Sequence, residues 1–366
     1  MRKKVLLELC LSPDLGGLEL YMLRASQALR DRFDLISVIS EDTELERYYE
    51  DKDRYLKIKK KGAIGTFLAA RELALIIDKH SVDIVHAHWT KDLLVAVLAK
   101  TLAKSKPKIV QTRNMTMTRF KDDFYHRWIY KNITLMLPVT HQVKEQLKRF
   151  IPAEVRPQIE VLYMGSDKPT ILDQKELKEF KNKTFVSQDS FNIGLVGRIN
   201  EAKGQHLLIE ALHKIEDSRV EVYFVGHEMR EGYIDKLKKE SKILGIQDRV
   251  HFLGFMKNPH HFFQACDVIV MASKKETFGL VVIEAMQAQT AVVGSNSGGV
   301  VEIIDDERTG LLFEASDSSS LALKIQKLID NPDLLSSIVK AANIECEKRF
   351  SSKKQFDKLA KILECL

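Results

Sequence analysis

The sequence predicts an α/β protein with two domains, each built on a parallel β-sheet. The chain has 366 residues, which is too long for one ordinary hydrophobic core. Strand-like and helix-like runs alternate along its whole length, as they do in parallel α/β folds. A polar stretch without strand signals interrupts this alternation at residues 168–190, and we interpret it as a linker that contains one short helix.

The first half of the chain opens with a strand, because its first apolar run meets Glu8 too early to be the core of an export signal. Apolar runs predict the other strands, and apolar residues spaced three to four apart predict the helices between them. The predicted strands are Lys4–Leu9, Leu35–Ser40, Tyr55–Ile58, Asp83–His88, Lys108–Thr112, Thr134–Val139 and Ile159–Leu162. The predicted helices are Leu18–Arg30, Ile64–Lys79, Leu93–Lys104 and Gln142–Phe150.

The second half repeats this architecture with an unrelated sequence. After residue 316 the pattern is helical to the end of the chain, with a break at Pro332. The predicted strands are Phe191–Val196, Val220–Val225, Val250–Leu253, Asp267–Met271, Ala291–Gly294 and Leu311–Phe313.

Composition and charge narrow the possible functions. No apolar run reaches the roughly 18 residues that a membrane-spanning helix needs. Four scattered cysteines without metal-ligand spacing predict reduced thiols in a cytoplasmic protein. Residues 1–166 hold 29 Lys and Arg against 21 Asp and Glu, whereas the remainder holds 28 against 30. The basic half therefore predicts an anionic partner, and without zinc-finger or RNA-binding signatures we do not expect nucleic acid.

One stretch of the second half combines two kinds of ligand contact. The strand Asp267–Met271 leads through a polar loop into a helix that starts near Gly279. The first turn of a helix offers free backbone N–H groups to a phosphate. Glu276 lies in the loop and Glu284 lies about one turn into the helix, so both carboxylates can meet the hydroxyls of the same ligand. Phosphate and hydroxyl groups together indicate a nucleotide sugar.

Two cations lie in a second loop, which follows the strand Phe191–Val196. Arg198 and Lys203 fall at a carboxyl strand end, where open α/β sheets bind their ligands. Fixed cations of this kind can stabilise a diphosphate leaving group in place of a metal ion. No Asp-x-Asp triplet of the metal-binding kind falls at a suitable strand end, because Asp51-Lys52-Asp53 lies in a charged loop, so no metal is expected.

These segments resemble the retaining glycosyltransferases of the GT4 family. The resemblance rests on the two glutamates, on Thr277-Phe278-Gly279-Leu280, and on Gly197-Arg198 with Lys203-Gly204. It implies the GT-B fold, in which two Rossmann-like domains face each other across a cleft. Residues 1–168 would bind the acceptor and residues 190–349 the nucleotide-sugar donor. The last helix, about 350–366, would pack back on the first domain.

The resemblance also assigns roles to individual residues. Arg198 and Lys203 would neutralise the leaving group, Glu276 would contact the sugar hydroxyls and Glu284 the ribose. Phe255 would contact the base, although a core aromatic is an equal alternative. The implied donor-binding residues are Gly16, Gly17, Gly226, Phe255, Phe278, Gly279, Leu280, Val281 and Glu284.

Three features of the first half each allow two interpretations. His86 and His88 point to one face of a strand without an evident third metal ligand, so we expect structural or substrate-lining histidines. Many GT4 enzymes carry a sugar-contacting histidine where this chain has Arg113 or Asn114, depending on the alignment. The basic, aromatic segment Arg119–Lys131 predicts either a helix at an anionic membrane surface or an ordinary core-packing helix.

The resemblance, together with these residues, therefore implies a retaining, metal-independent hexosyltransferase of bacterial surface polysaccharide or lipopolysaccharide biosynthesis. Its donor would be a nucleotide sugar, with a UDP-sugar as the expected form, and its acceptor a glycan or lipid-linked molecule. No cofactor is expected. The enzyme would be cytoplasmic, or peripheral on the inner face of the cytoplasmic membrane. The alternatives are a nucleotide-sugar epimerase or phosphorylase on the same fold, and a non-catalytic nucleotide-sugar-binding module.

Overall fold

The computed structural model describes residues 2–49 and 55–366, which form two compact units. The first unit runs to Tyr163 and also contains Lys353–Leu366, and the second unit is Met164–Ser352. Each unit has its own hydrophobic core and its own parallel sheet, as the alternating sequence pattern predicts. The Asp51–Asp53 triplet lies outside the described residues.

The first unit is built on seven parallel strands in the order β3-β2-β1-β4-β5-β6-β7. Its central strands are buried along their whole length, because helices cover both faces of the sheet. The order reverses between β1 and β4, so the loops that follow these two strands begin side by side. The strands are β1 (Val5–Cys10), β2 (Asp34–Ser40), β3 (Tyr55–Ile58), β4 (Ile84–Ala87), β5 (Lys108–Arg113), β6 (Leu135–Pro138) and β7 (Gln158–Ile159).

The helices of the first unit divide between the two faces of its sheet. Residues of α2, α3, α4 and α5 share one hydrophobic cluster, and α1 contributes to another. The last helix, α14 (Ser352–Glu364), packs beside α1, where Gln355 donates a 3.0 Å hydrogen bond to the hydroxyl of Tyr21. The other helices are α1 (Gly17–Leu29), α2 (Gly62–His80), α3 (Leu93–Leu102), α4 (Phe124–Lys131) and α5 (His141–Phe150).

The second unit is built on six parallel strands in the order β10-β9-β8-β11-β12-β13. This order reverses between β8 and β11. The strands are β8 (Phe191–Val196), β9 (Val220–Val225), β10 (Val250–Gly254), β11 (Val268–Met271), β12 (Ala291–Ser295) and β13 (Leu311–Phe313). The helices are α6 (Gln174–Thr184), α7 (Gln205–Lys214), α8 (Tyr233–Ile243), α9 (His260–Ala265), α10 (Leu280–Gln287), α11 (Val300–Ile303), α12 (Ser318–Asp330) and α13 (Pro332–Arg349).

The stretch that we interpret as a linker, residues 168–190, lies within the second unit. Its helix α6 begins with a capping box, in which Asp173 and Glu176 each bind the other's backbone N–H. The Gln264 side chain holds the chain just before this helix, since it accepts from the Leu172 N–H and donates to the Thr170 carbonyl. The stretch is polar because one side faces solvent, yet these bonds attach it to α9.

The basic, aromatic segment Arg119–Lys131 is helical only from Phe124 onward. Asp123 caps the helix by accepting a 3.0 Å hydrogen bond from the His126 N–H. Ile129 and Tyr130 are buried in the core, whereas Phe124 is 88% exposed. Buried core residues and an exposed aromatic ring thus occur on the same helix. No helix in residues 2–49 and 55–366 is long and apolar enough to traverse a bilayer.

Candidate active site

Two loops meet at the carboxyl ends of β8 and β11, where the order of the second sheet reverses. Residues 197–204 follow β8, and residues 272–279 follow β11. The N–H of Lys274 donates to the carbonyl of Ala202 at 3.3 Å, so the loops touch along their backbones. Ligands of open α/β sheets bind in the crevice at such a reversal. We therefore expect a ligand site at this edge of the second unit.

Lys203 and Glu276 form an ion pair across these two loops. The Nζ atom of Lys203 lies 2.7 Å from Oε2 of Glu276. The two side chains retain 26% and 20% of their exposure, so a ligand can reach both charges. Arg198 is exposed in the same loop as Lys203. The structure thus brings together residues 73 positions apart in sequence that were predicted separately as catalytic.

Glycines fix the backbone of the loop that carries the cations. Gly197 and Gly204 bracket this loop with φ angles of +152° and +76°, which L-residues rarely adopt. A Cβ atom on Gly204 would lie 2.4 Å from the carbonyl oxygen of Ala272, and one on Gly226 would lie 1.9 Å from that of Gly197. The loops after β8 and β9 approach each other so closely that only glycine fits at position 226, which was predicted to bind the donor.

A third loop, which follows β12, supports the loop that carries Glu276. The Gly299 N–H donates to the Glu276 carbonyl at 2.8 Å, and Ser297 Oγ donates to the Lys274 carbonyl at 3.1 Å. A Cβ atom on Gly298, whose φ is +62°, would lie 2.1 Å from the carbonyl oxygen of Glu276. From the sequence, these glycines indicate only a loop after the strand Ala291–Gly294. The Ser297-Gly298-Gly299 triplet after a buried strand was the available signal for this bracing role.

Gly298→Ala should damage the site more than a matched substitution at Gly245. Both glycines have positive φ, but a Cβ atom on Gly245 would meet no atom within 4 Å. We expect Gly245→Ala to lower the free energy of unfolding by about 1 kcal/mol through backbone strain alone. Gly298→Ala adds a clash with the Glu276 carbonyl, so its free energy of unfolding should fall by about 1–3 kcal/mol more than that of Gly245→Ala. Chemical denaturation measures both variants, and equal stability of the two would contradict the bracing role.

The helix α10 begins at the end of the loop that carries Glu276. Gly279 is its N-cap residue, with φ +101°, and the first N–H groups of the helix face out of its start. Leu280 and Val281 are partly exposed there, whereas Phe278 is only 3% exposed and packs edge-on against Phe350. Phe278, Gly279, Leu280 and Val281 can thus offer backbone N–H groups, but the Phe278 ring belongs to the core. Glu284 is the fifth residue of the helix and is partly exposed.

An exposed aromatic ring stands at the same edge of the sheet, after β10. Phe255 is 68% exposed and lies edge-to-face with the ring of His227, at 5.9 Å between centroids. His227 follows β9, so the two rings come from neighbouring strand ends. Of the two alternatives for Phe255, this exposure supports a ligand-facing ring over a core residue. His227 escaped the sequence analysis because a single histidine after a strand carries no signal.

The predicted glycines of the first unit lie between β1 and α1. Gly16 is extended and Gly17 is the first residue of α1. A Cβ atom on Gly17 would meet nothing within 4 Å, and one on Gly16 would lie 3.4 Å from the Glu19 carboxylate. The fold does not itself demand glycine at these positions. The open space at the start of the helix is what a closely approaching ligand would require.

A buried carboxylate joins the two histidines of the first unit. Glu8 lies on β1, and its Oε2 atom is 2.5 Å from His88 Nε2 and 3.0 Å from His86 Nδ1. The other ring nitrogen of His86 lies 2.8 Å from the hydroxyl of Thr112. All three ionisable side chains are fully buried. The sequence-based expectation that no third metal ligand lies near the histidines is therefore wrong, because Glu8 completes a group of three.

The electrostatics of this group fit hydrogen bonds between a carboxylate and two imidazoles. Burial tends to raise the pKa of Glu8, but the two histidines outweigh it and lower that pKa to about 2. Burial, and then the charge of His86, lower the pKa of His88 to about 4. The carboxylate is thus ionised at neutral pH, and each histidine places a nitrogen against it. Of the two alternatives for these histidines, this geometry supports the structural one.

Arg113 and Asn114 end β5 with different environments. The Arg113 side chain donates to the carbonyl groups of Met115 and Thr116 and to the Thr90 hydroxyl, at 2.7–3.0 Å. It is therefore occupied in holding the loop that follows β5. The amide nitrogen and oxygen of Asn114 are buried and have no hydrogen-bond partner among the described residues. Unpaired buried polar atoms are costly, and a ligand that supplies partners removes the cost.

Family comparisons agree with this geometry. The family described as glycosyl transferases group 1 matches residues 175–344, and the family described as glycosyl transferase 4-like matches residues 8–143. The chain belongs to the GT4-type, group 1 glycosyltransferases. This confirms the resemblance found in the sequence. A group 1 glycosyltransferase moves a sugar from a nucleotide-sugar donor to an acceptor, so the chain is a transferase.

Individual glycosyltransferases match the chain over most of its length. It is 25% identical over 336 residues to the capsular polysaccharide biosynthesis glycosyltransferase CapM of Staphylococcus aureus, covering 88% of this chain and 87% of that protein. A solved glycosyltransferase from Rickettsia africae has a TM-score of 0.89, with 23% identity and coverage of 99% and 98%. Alr3699/HepE of Anabaena, solved in complex with UDP, has a TM-score of 0.86, with 22% identity and full coverage of both chains. These matches confirm the GT-B fold.

Proposed function

We propose that this glycosyltransferase takes a hexose from a UDP-sugar and transfers it, without a metal ion and with retention of anomeric configuration. The observation that carries the proposal is the Lys203–Glu276 pair, because it holds a cation and a carboxylate together at the sheet reversal. A nucleotide sugar needs a cation for its diphosphate and a hydrogen-bond acceptor for its hydroxyl groups. In this proposal residues 190–349 form the donor-binding part of the enzyme and residues 1–168 the acceptor-binding part.

The diphosphate binds between the start of α10 and the two cations. Backbone N–H groups of Gly279, Leu280 and Val281 take one side of it, since helix starts favour anions. Arg198 and Lys203 take the other side and stabilise the negative charge that develops as the glycosidic bond breaks. These fixed cations do the work that a divalent metal does in metal-dependent transferases. Glycine conformations at both ends of their loop keep the cations in place.

The nucleoside lies along the edge of the second sheet. Glu284 accepts hydrogen bonds from the ribose hydroxyls, and the exposed ring of Phe255 contacts the base. A uracil base is the choice that the Anabaena relative supports, because that protein was solved in complex with UDP. Glu276 contacts the hydroxyls of the transferred sugar once the diphosphate draws Lys203 toward itself.

Asn114 takes the place of the histidine that many GT4 enzymes use to contact the sugar. Its unpaired amide can both donate to and accept from sugar hydroxyls, whereas the donors of Arg113 hold the neighbouring loop. An amide has no useful basicity, so the acceptor's proton passes to the leaving phosphate oxygen. This assignment suits a retaining transfer without an enzyme nucleophile.

Asn114→Ala and Arg113→Met should separate these roles. We expect Asn114→Ala to keep its melting temperature and to lower kcat/KM by about ten- to a hundredfold, because a sugar hydrogen bond is lost. Arg113→Met should lower the melting temperature instead, since two partly buried carbonyl groups of the neighbouring loop lose their donor at about 1 kcal/mol each. Melting curves and initial rates check both expectations. The reverse pattern would assign the sugar contact to Arg113.

The acceptor is a glycan or a lipid-linked molecule of bacterial surface polysaccharide or lipopolysaccharide biosynthesis. The basic first half and the similarity to a protein named for capsular polysaccharide biosynthesis support this. Residues 101–150 alone hold 11 Lys and Arg against 3 Asp and Glu. The Arg119–Lys131 segment would bring the cytoplasmic enzyme to the anionic inner face of the membrane.

A donor panel without metal tests the proposal. The melting temperature of the full chain would be measured with UDP-, GDP- and ADP-sugars in the presence of a chelator. A ligand that binds the folded state raises this temperature according to its concentration relative to Kd. We expect a rise with a UDP-sugar only, followed by transfer of its sugar to a membrane-extract acceptor with the α anomer preserved. A requirement for divalent metal, or an epimerised sugar nucleotide as the only product, would contradict the proposal.

A further inference from the structure

We propose that a tryptophan and two lysines of the first unit form a subsite for an acidic acceptor sugar, which carries a carboxylate or a phosphate. We define the Trp89 site as Trp89, Lys60 and Lys91. The inference rests on the proposed function, because it assumes that residues 1–168 bind the acceptor. It goes beyond that proposal by naming the charge of the acceptor sugar and the residues that recognise it.

Two ammonium groups of the Trp89 site lie close to one aromatic ring. The Nζ atoms of Lys60 and Lys91 are 4.8 and 4.9 Å from the centroid of the Trp89 ring. The electron-rich face of an indole attracts cations, so the ring holds both charges near the same place. Neighbouring cations repel each other, and an anion that contacts both removes this repulsion. The cluster is therefore suited to bind an anionic group.

A buried carboxylate fixes the position of one of the two lysines. Asp92 is fully buried, and its Oδ1 atom lies 2.8 Å from the Nζ atom of Lys60. The other carboxylate oxygen of Asp92 accepts a 2.7 Å hydrogen bond from the Leu11 N–H. Lys60 also donates to the Lys91 carbonyl at 2.8 Å, and its side chain is only 13% exposed. The Lys60 ammonium group is thus held in place before a ligand arrives.

Lys91 supplies the charge that the protein does not match. It is exposed, and within residues 2–49 and 55–366 no carboxylate lies at ion-pair distance from its Nζ atom. Its ammonium group can therefore turn to a ligand without breaking an ion pair. Hydrogen bonds from such a cation to a carboxylate or a phosphate are strengthened by charge. Lys60 thus provides the fixed cation of the site and Lys91 the free one.

The Trp89 site lies beside the residue that we propose to contact the transferred sugar. The strands β4 and β5 are paired, so the turn at Trp89 begins next to the strand end that carries Asn114. Arg113 joins the two segments, since its Nη1 atom donates to the Thr90 hydroxyl at 2.7 Å. An acceptor sugar has to lie next to the transferred sugar for the reaction to occur. A group bound at the Trp89 site can therefore belong to the acceptor.

The donor diphosphate does not account for the cations of the Trp89 site. The proposed function places this diphosphate on the second unit, between the start of α10 and the cations Arg198 and Lys203. Lys60 and Lys91 belong to the first unit, which contributes no cation to that proposal. The anion that they bind therefore comes from the acceptor.

Tryptophan fluorescence of the full chain tests the inference. The chain has two tryptophans, so Trp128→Phe leaves Trp89 as the reporter, and a melting curve checks that this background folds. The probes are methyl glucuronide, a hexose phosphate, neutral methyl glucoside and inorganic phosphate, all at low salt. The test variant is Lys91→Met. The matched control is Lys108→Met, an exposed lysine at the start of β5 and thus at the opposite edge of the same sheet.

We expect an acidic sugar to shift the emission of Trp89, because its oxyanion moves the ammonium groups relative to the indole. Lys91→Met should weaken this binding at least about tenfold, since a charged hydrogen bond is lost, whereas Lys108→Met should leave it unchanged. The acidic sugar that binds more tightly identifies the oxyanion as a carboxylate or a phosphate.

Three results would overturn the inference. The first is an equal shift with the neutral glucoside, or no shift with either acidic sugar. The second is unchanged affinity for the acidic sugars in Lys91→Met. The third is binding of inorganic phosphate as tightly as the hexose phosphate, which would indicate a site for free phosphate and not for a sugar.

The rise in melting temperature with a UDP-sugar is measured on the same samples and separates the two proposals. A normal UDP-sugar response without any effect of acidic sugars overturns the Trp89 site alone. A shift with acidic sugars that Lys91→Met weakens, in a chain without a UDP-sugar response, supports the Trp89 site and contradicts the proposed donor.

Discussion

Replacing Glu276 with alanine is expected to lower sugar transfer by about a thousandfold while the melting temperature stays near that of the wild-type chain. The Glu276 side chain is partly exposed, and among the residues that the structure describes its ionic partner is Lys203, so little folding energy depends on it. Its carboxylate, however, is the group that we propose to bind the sugar hydroxyls as the transition state forms. Initial rates with saturating acceptor, together with a melting curve, measure both effects.

Glu314→Ala is the matched control for this substitution. Glu314 is an exposed glutamate directly after β13, at the same edge of the sheet but outside the proposed site. We expect it to keep wild-type activity. Lys203→Met, made alone and together with Glu276→Ala, completes a double-mutant cycle. The rates of sugar transfer in this cycle measure how strongly the two side chains depend on each other. Near-normal turnover by Glu276→Ala would remove this residue from the mechanism, and additive losses would show that the ion pair has no functional role.

The largest effect on stability is expected for Glu8→Ala. The substitution leaves His86 and His88 buried without the carboxylate that both contact. Each imidazole nitrogen that is left buried without a partner costs about 1–3 kcal/mol, so we expect the free energy of unfolding to fall by about 2–6 kcal/mol. Both tryptophans of the chain, Trp89 and Trp128, lie in the first unit, so their fluorescence during urea unfolding reports on that unit. Glu41→Ala, which removes an exposed ion pair with Lys59, is the control and should change little.

The same group should make the first unit acid-labile. The pKa of His88 is about 4 in the folded chain, below its ordinary value of 6.5. The unfolded chain therefore binds a proton at His88 more readily than the folded chain does. The free energy of unfolding consequently falls as the pH drops from about 6.5 toward 4. The pKa of Glu8, about 2 against an ordinary 4.5, removes further stability as the pH drops from about 4.5 toward 2. Glu8→Ala should lose the lower of these two windows. An unfolding midpoint that is constant from pH 7 to pH 3 would refute the assignment.

The second sheet shows how far strand patterns can be interpreted from sequence. The strands Phe191–Val196, Val220–Val225 and Leu311–Phe313 have their predicted bounds, because strands covered on both faces are continuous apolar runs. The prediction for β7 is displaced, since Gln158–Ile159 pairs only with β6 at the edge of the sheet and its pattern is weak. The edge strand Leu311–Phe313 was predicted correctly because all three of its residues are apolar, so the strength of the local apolar pattern limits the prediction more than the position in the sheet does.

In the candidate site, the sequence predicted features that lie within one segment but not contacts between distant segments. The residue types and their spacing indicated the cations of one loop, the two glutamates and the helix start, because each feature lies within one short segment. The sequence indicates that Glu8 lies in the first strand but not that it binds two histidines, because those partners lie 78 and 80 positions away. The bracing role of Gly298 was equally hidden, because the carbonyl that excludes a side chain there belongs to Glu276.

The sequence by itself determined the family and the two α/β halves, and it predicted which residues would face a nucleotide sugar. Only the tertiary structure decided which partner each side chain has: Lys203 with Glu276, Glu8 with two histidines, and Arg113 with its neighbouring loop while Asn114 is left unpaired. The physical reason is that local pattern records burial and backbone geometry, which act over a few residues. Hydrogen-bond partners come from strands that are adjacent in the sheet and distant in the chain, so the strand order selects them.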